Sequence, residues 1–218
     1  MYLSYDEIDF SKTQENFRSL ILFDDVFLNM QAMNISVIDK FITEYEYSLL
    51  DEYLKTDRTP INTAMFVSAQ SQMWIFAIYE LLRTWRARIK KLCAWNENGG
   101  VEQMIKNLEK DELNFVALSK KRQLELLKND PDFYLKLKKD LSRTNDLFTM
   151  IEAMRINLAK HEVHNKDKHS PRTVGYGRIN NFCGALDFDI AHENGSFEYL
   201  NRRDISDAIR NISIGSKS

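Results

Sequence analysis

Residues that interrupt regular structure are scarce through most of this chain and crowd into its last quarter. The 218 residues include seven glycines and three prolines, and five of the glycines lie after Ser170. Glycine and proline are the strongest local punctuators of secondary structure. The first three-quarters therefore reads as helix, and the tail reads as turns and strands.

Apolar spacing supports this division. Ser11, with Gln14 three residues later, predicts a capping box at a helix start. Phe17, Leu20, Ile21, Phe27 and Leu28 follow at helical spacing, and residues 34–36 punctuate the run. Ile38, Phe41, Ile42, Tyr45, Leu49 and Tyr53 mark a second helix, which ends in the polar run of residues 55–59. Pro60 begins a third helix that meets no breaker before Asn98-Gly99-Gly100, and residues 73–82 are apolar nearly all round, as expected of a central buried helix. A fourth helix fills residues 101–128, with an interruption near Asn114. Asp130 and Pro131 then supply an N-cap and a favoured first helical residue. The fifth helix carries Leu147, Ile151, Met154 and Leu158 on one stripe.

Beyond it, residues 164–177 are polar and irregular. Leu186, Phe188 and Ile190 alternate with Asp187 and Asp189, Asn194-Gly195 is a hairpin turn signal, and Phe197 and Tyr199 alternate on the return. Asp204 can cap a last short helix. The expected fold is mainly α: a single domain with a helical bundle over residues 11–162, a C-terminal β-hairpin appendage over 183–200 and a short final helix over 204–213.

The formal net charge is −2, so no global basic field attracts nucleic acid, and any such contact must come from local patches. Cys93 and Cys183 are far apart and fit no metal-binding spacing, which suits free thiols in a reducing compartment. The chain does not open on a charged and apolar leader, and residues 73–82 are too short to span a bilayer and contain Glu80. The expectation is a cytoplasmic protein with no membrane segment.

The densest chemistry lies at the end of the fifth helix. Arg155, Asn157 and His161 fall within seven residues. An arginine can hold a phosphate through its planar fork of donors, and a histidine can move a proton near neutral pH. Together they equip a metal-independent RNA-cleaving site in which the substrate's own 2′-OH is the nucleophile. Asn157 shares a helix face with His161 and can orient it. Lys160, Lys166, Lys168, Arg172 and Arg178 surround the motif as candidate phosphate contacts. Six residues along a straight helix turn through roughly 600°, so Arg155 and His161 diverge by about 120°. They converge if the helix end unwinds, or if two subunits each contribute across a two-fold axis. That geometry predicts a homodimer.

Blander readings stand beside these. His161 continues the 147–151–154–158 stripe and can simply close the core. Arg155 can pair with Glu152. Glu80 interrupts an apolar run, and a buried carboxylate needs a partner. Arg83, three residues away, gives a local pair, and Arg155 on a neighbouring helix is a sharper candidate. The run Arg83, Arg86, Arg88, Lys90 and Lys91 near the end of the third helix reads as a solvated face. His161, His164 and His169 with Glu162 and Asp167 match no zinc-binding spacing, so neither a metal nor a cofactor is expected.

Arg-x-x-x-x-x-His near the end of the last long helix of an all-α region resembles the Arg-(four to six residues)-His motif of the HEPN superfamily. Those domains are helical bundles, and many are RNases of toxin–antitoxin, abortive-infection and other defence systems, active as dimers. Others are non-catalytic modules that bind protein or RNA. The resemblance implies Arg155 and His161 as the catalytic pair, RNA as substrate, and an antitoxin or other partner protein. Members often carry a polar residue, commonly Asn, directly after the Arg. Here Ile156 stands in that place and Asn157 follows it.

Overall fold

A computed structural model describes residues 2–108, 114–159, 177–191 and 197–212. After a single 3-10 turn, Tyr5–Glu7, the described helices are α1 (Ser11–Ser19), α2 (Val26–Thr56), α3 (Ile61–Glu97), α4 (Val101–Leu108), α5 (Phe115–Asn129), α6 (Pro131–Arg143) and α7 (Asn145–Ala159). The strands β1 (Arg178–Ile179), β2 (Leu186–Ala191) and β3 (Phe197–Leu200) precede the last helix, α8 (Arg202–Arg210). The molecule is mainly helical with a small antiparallel sheet near its C-terminal end, the class that breaker placement predicts.

The antiparallel hairpin of α2 and α3 is the frame. Asp25 caps α2 by accepting hydrogen bonds from the Phe27 and Leu28 amides at 3.1 and 3.2 Å. The helix stops after Thr56, where Asp57 adopts a left-handed conformation with φ 51°. The 37 residues of α3 extend about 55 Å, with Pro60 before them and Gly99 at φ 71° after them. Trp74, Ile75, Ile78, Leu82, Trp85 and Ile89 form its buried face. Helices α2, α5, α6 and α7 all pack against it. No described helix is long and apolar enough to cross a membrane.

Several boundaries depart from the sequence reading, each because a distant group intervenes. The capping box at Ser11 is absent; Asp9 takes the Ser11 amide and hydroxyl instead, at 3.1 and 2.6 Å. The first helix ends at Ser19 rather than running on through Leu28. There the Ile21 carbonyl accepts from Trp85 Nε1 at 2.7 Å, and the Ile21 amide donates to Asp140 at 2.7 Å. Residues 34–36 do not punctuate anything: they lie inside α2, and the Ser36 hydroxyl bonds back to the Ala32 carbonyl at 2.7 Å.

The expected fifth helix is two, split at Thr144. Buried Arg86 enters the break, donating to the Leu141 carbonyl at 3.1 Å, Thr144 Oγ1 at 3.3 Å and Asn145 Oδ1 at 3.0 Å. Arg86 thus caps the carbonyl end of α6. Arg88 pairs with Asp25 at 3.0 Å. The basic run on α3 is therefore not simply a solvated face, because two of its arginines fasten neighbouring elements.

In the sheet, β2 pairs with β1 (Ile179 opposite Leu186) and with β3 (Phe188 opposite Leu200). The expected hairpin is β2–β3, extended by β1, while its Asn194-Gly195 turn lies outside the described residues. Leu186, Phe188, Ile190 and Leu200 are buried, but Phe197 and Tyr199 face outward. The last helix starts earlier than expected. Asn201 is its N-cap, bonding the Asp204 amide at 3.0 Å, while the Asp204 carboxylate returns a bond to the Asn201 amide at 3.0 Å. Helix α8 packs against α1 and α7.

Candidate functional site

The segment singled out by sequence lies at the C-terminal end of α7. Leu147, Ile151, Met154 and Leu158 are all buried, so the predicted stripe docks α7 onto the core and α3. Gln72 of α3 donates to the Leu158 carbonyl at 3.3 Å and satisfies part of the helix end.

Arg155 is half-buried. Its guanidinium sits over the Tyr79 ring, 4.9 Å from the centroid, a cation–π contact. Tyr79 is stacked on Phe148 at 5.7 Å, and its hydroxyl donates to Glu152 at 3.5 Å. Arg155, Phe76, Tyr79, Glu80 and Ala159 line a depression of about 260 Å³. Among the described residues no carboxylate is paired with Arg155. Glu80 is taken by Arg83, which donates through Nε at 3.0 Å and Nη2 at 2.5 Å. The local Glu80–Arg83 pair is therefore the one that forms, on an exposed face, and Glu152 faces Tyr79 instead of Arg155. A guanidinium held by its π-face keeps its edge donors available to an anion.

Asn157 lies roughly 200° around α7 from Arg155. Its side-chain amide donates to the Ala153 carbonyl at 2.8 Å, a local back-bond to its own helix. The structure thus brings Arg155 to the depression and turns Asn157 away from it. His161, Lys160, Lys166, Lys168 and Arg172 lie outside the described residues. Arg178 is exposed at the start of β1, 3.4 Å from the Tyr199 hydroxyl. Among the described residues no three His, Cys, Asp or Glu side chains converge to hold a metal ion.

Two features escape sequence reasoning. One is a groove of about 760 Å³ where Tyr53, Met65 and Ser68 meet Arg178, Ile179 and Leu186. It exists only because β1 passes the α2–α3 turn. The other is a buried charge cluster. Arg202 of α8 donates to Glu46 through Nε at 2.7 Å and Nη2 at 2.6 Å, to Thr43 at 2.8 Å, and to Asp39. Asp39 also accepts from Arg210, from Ser206 at 2.5 Å and from Thr13 at 3.3 Å.

Burial alone would raise the Asp39 pKa, but the Arg202 and Arg210 guanidiniums override it and hold the carboxyl below its ordinary range. Two carboxylates and two guanidiniums cancel, and the cluster binds α8 to α2. A faint signal was available: Asp39 and Glu46 occupy the stripe of α2 that also carries Ile35, Ile42 and Leu49. Carboxylates at such positions need cations from elsewhere.

Comparison with protein-family models, with curated proteins and with solved structures gave no match.

Proposed function

We propose that this chain is a HEPN-like, metal-independent endoribonuclease that acts as a homodimer, with Arg155 and His161 as its working pair. One observation carries the reading. Arg155, at the place the motif requires, borders a depression with its guanidinium oriented by Tyr79 and unpaired with any described carboxylate. A phosphodiester oxygen is a fitting partner for those donors.

In the proposed reaction His161 takes the proton of the substrate 2′-OH. The oxygen attacks the adjacent phosphorus, the bond to the 5′-oxygen breaks, a water gives that oxygen its proton as it leaves, and the His161 imidazolium returns its proton to the hydroxide so formed. The products are a 2′,3′-cyclic phosphate and a 5′-hydroxyl. Arg155 stabilises the charge that gathers on the phosphoryl oxygens. Lys160, Lys166, Lys168 and Arg172 hold the flanking backbone. A role as a toxin or defence effector, with an antitoxin as partner, rests on the family resemblance alone, and a cytoplasmic site of action goes with it.

A second reading is a non-catalytic module that binds RNA or a partner protein through the same region. It is favoured by Ile156 in the motif's usual polar position and by the Asn157 amide bonded back to Ala153.

Cleavage of RNA in the presence of EDTA, with product ends identified, tests the choice. The enzyme reading expects 2′,3′-cyclic ends, a loss of about 10²–10⁴ in rate for His161→Ala, and impairment for Arg155→Ala without loss of fold. Dependence on Mg²⁺, or indifference to His161, overturns the mechanism. A folded protein that binds RNA or protein and cleaves nothing selects the module.

A further inference from the structure

Helix α2 presents to solvent a stripe that a surface helix ordinarily lacks. Met30, Met33, Val37, Ile38, Phe41 and Tyr45 are all exposed, Val37 by 69%. On a helical wheel they fall within one sector of roughly 140°. No charged residue occurs between Val26 and Ile38, and the carboxylate that follows, Asp39, is turned inward to Arg202 and Arg210. The stripe continues onto α3. Tyr45 meets Phe66 with ring centroids 4.8 Å apart, and Trp74 Nε1 bonds the Ile35 carbonyl at 3.0 Å. Those two ties put exposed Met73 at the level of Ile38.

We infer that this α2–α3 ridge is the surface through which two copies of the chain associate. Three arguments select a second copy as occupant. The first is area. Eight large side chains, each about half exposed, offer roughly 700 Å², near the ~800 Å² that each partner buries in a standard interface and above the patch of a typical monomer. The second is composition: methionine and aromatic side chains with no charge at the centre are what interface cores contain. The third is self-complementarity. With a two-fold axis at Val37, antiparallel α2 helices bring Lys40 opposite Asn34 and Glu44 opposite Met30, so no like charges meet between the two α2 helices. A lipid surface would require a basic rim, whereas among the described residues the exposed charges beside this ridge are of both signs: Lys40 and Glu44 on α2 and the Glu80–Arg83 pair on α3.

The inference rests on the dimer of the preceding section but names a surface that can fail separately. Sedimentation velocity of the full chain at high micromolar concentration should show a dimer. Val37→Glu places two carboxylates against each other at the axis and should weaken association by roughly 100-fold or more, with an unchanged circular dichroism spectrum because Val37 is exposed. Val37→Cys should form an interchain disulfide under mild oxidation, against a low background because Cys93 and Cys183 are buried. A wild-type monomer overturns the inference. A dimer that survives Val37→Glu and gives no Val37→Cys cross-link also overturns it, yet leaves the RNase dimer standing. A dimer dispersed by Val37→Glu in a protein that cleaves no RNA supports the surface and sinks only the RNase reading.

Discussion

Replacing Arg202 with methionine should cost far more stability than its place in a nine-residue terminal helix suggests. Arg202 is 1% exposed and lies 5.3 Å from the centre of the Trp74 ring, so methionine keeps much of the packing and removes the charge. The two carboxylates it serves then fare differently. Asp39 retains Arg210, Ser206 and Thr13. Glu46, also fully buried, loses both of its hydrogen bonds from Arg202. One buried carboxylate is left without compensation, which costs about 3–5 kcal/mol, a large share of the ~5–15 kcal/mol that holds a typical domain together. Removing Glu46 as well, in Arg202→Met with Glu46→Leu, exchanges the pair for apolar groups and should return stability to within ~1 kcal/mol of wild type. Urea unfolding followed by far-ultraviolet circular dichroism measures both. A single substitution that costs under ~1 kcal/mol, or a double variant no better than the single, would refute the claim that Arg202 is needed chiefly to neutralise Glu46.

Two further outcomes follow from the packing beneath the sheet. Gly184 has φ 73°, and a Cβ there would stand 1.8 Å from the Glu46 carbonyl oxygen, so Gly184→Ala should lose about 2–5 kcal/mol, read as a lower urea midpoint. Burial pushes the Cys183 thiol up to about 12 from the ordinary 9.0. The folded state therefore holds this proton after the unfolded state has released it. Its contribution to stability is complete below pH 9 and is lost as pH rises toward 12, by up to ~1.4 kcal/mol per unit. Unfolding measured from pH 8 to 11 should show a shallower decline in Cys183→Ala, and an identical slope would contradict this account.

Much of the helical scaffold was legible because it depends on local chemistry. The polar run closing α2, the glycines after α3, the Asp130–Pro131 start of α6 and the buried stripe of α7 all act within a turn or two of themselves. Periodicity likewise marked α3 as central, since a helix that is apolar nearly all round has few places to go but the core. The Glu80–Arg83 contact was legible as an i,i+3 pair.

Tertiary structure decided the rest, because the deciding partner lies far along the chain. Trp85 and Asp140 hold Ile21 out of a helix that its own neighbours would continue. Arg86 enters the gap at Thr144, which no spacing around residue 144 announces. The outward face of α2 reads in sequence as one more apolar stripe, and only the packing of its opposite side leaves it in solvent. Above all, Asp39, Glu46, Arg202 and Arg210 are ordinary surface residues by type. Burial makes each of them costly alone and acceptable together, and the chain must fold before the charges from α2 and α8 can cancel.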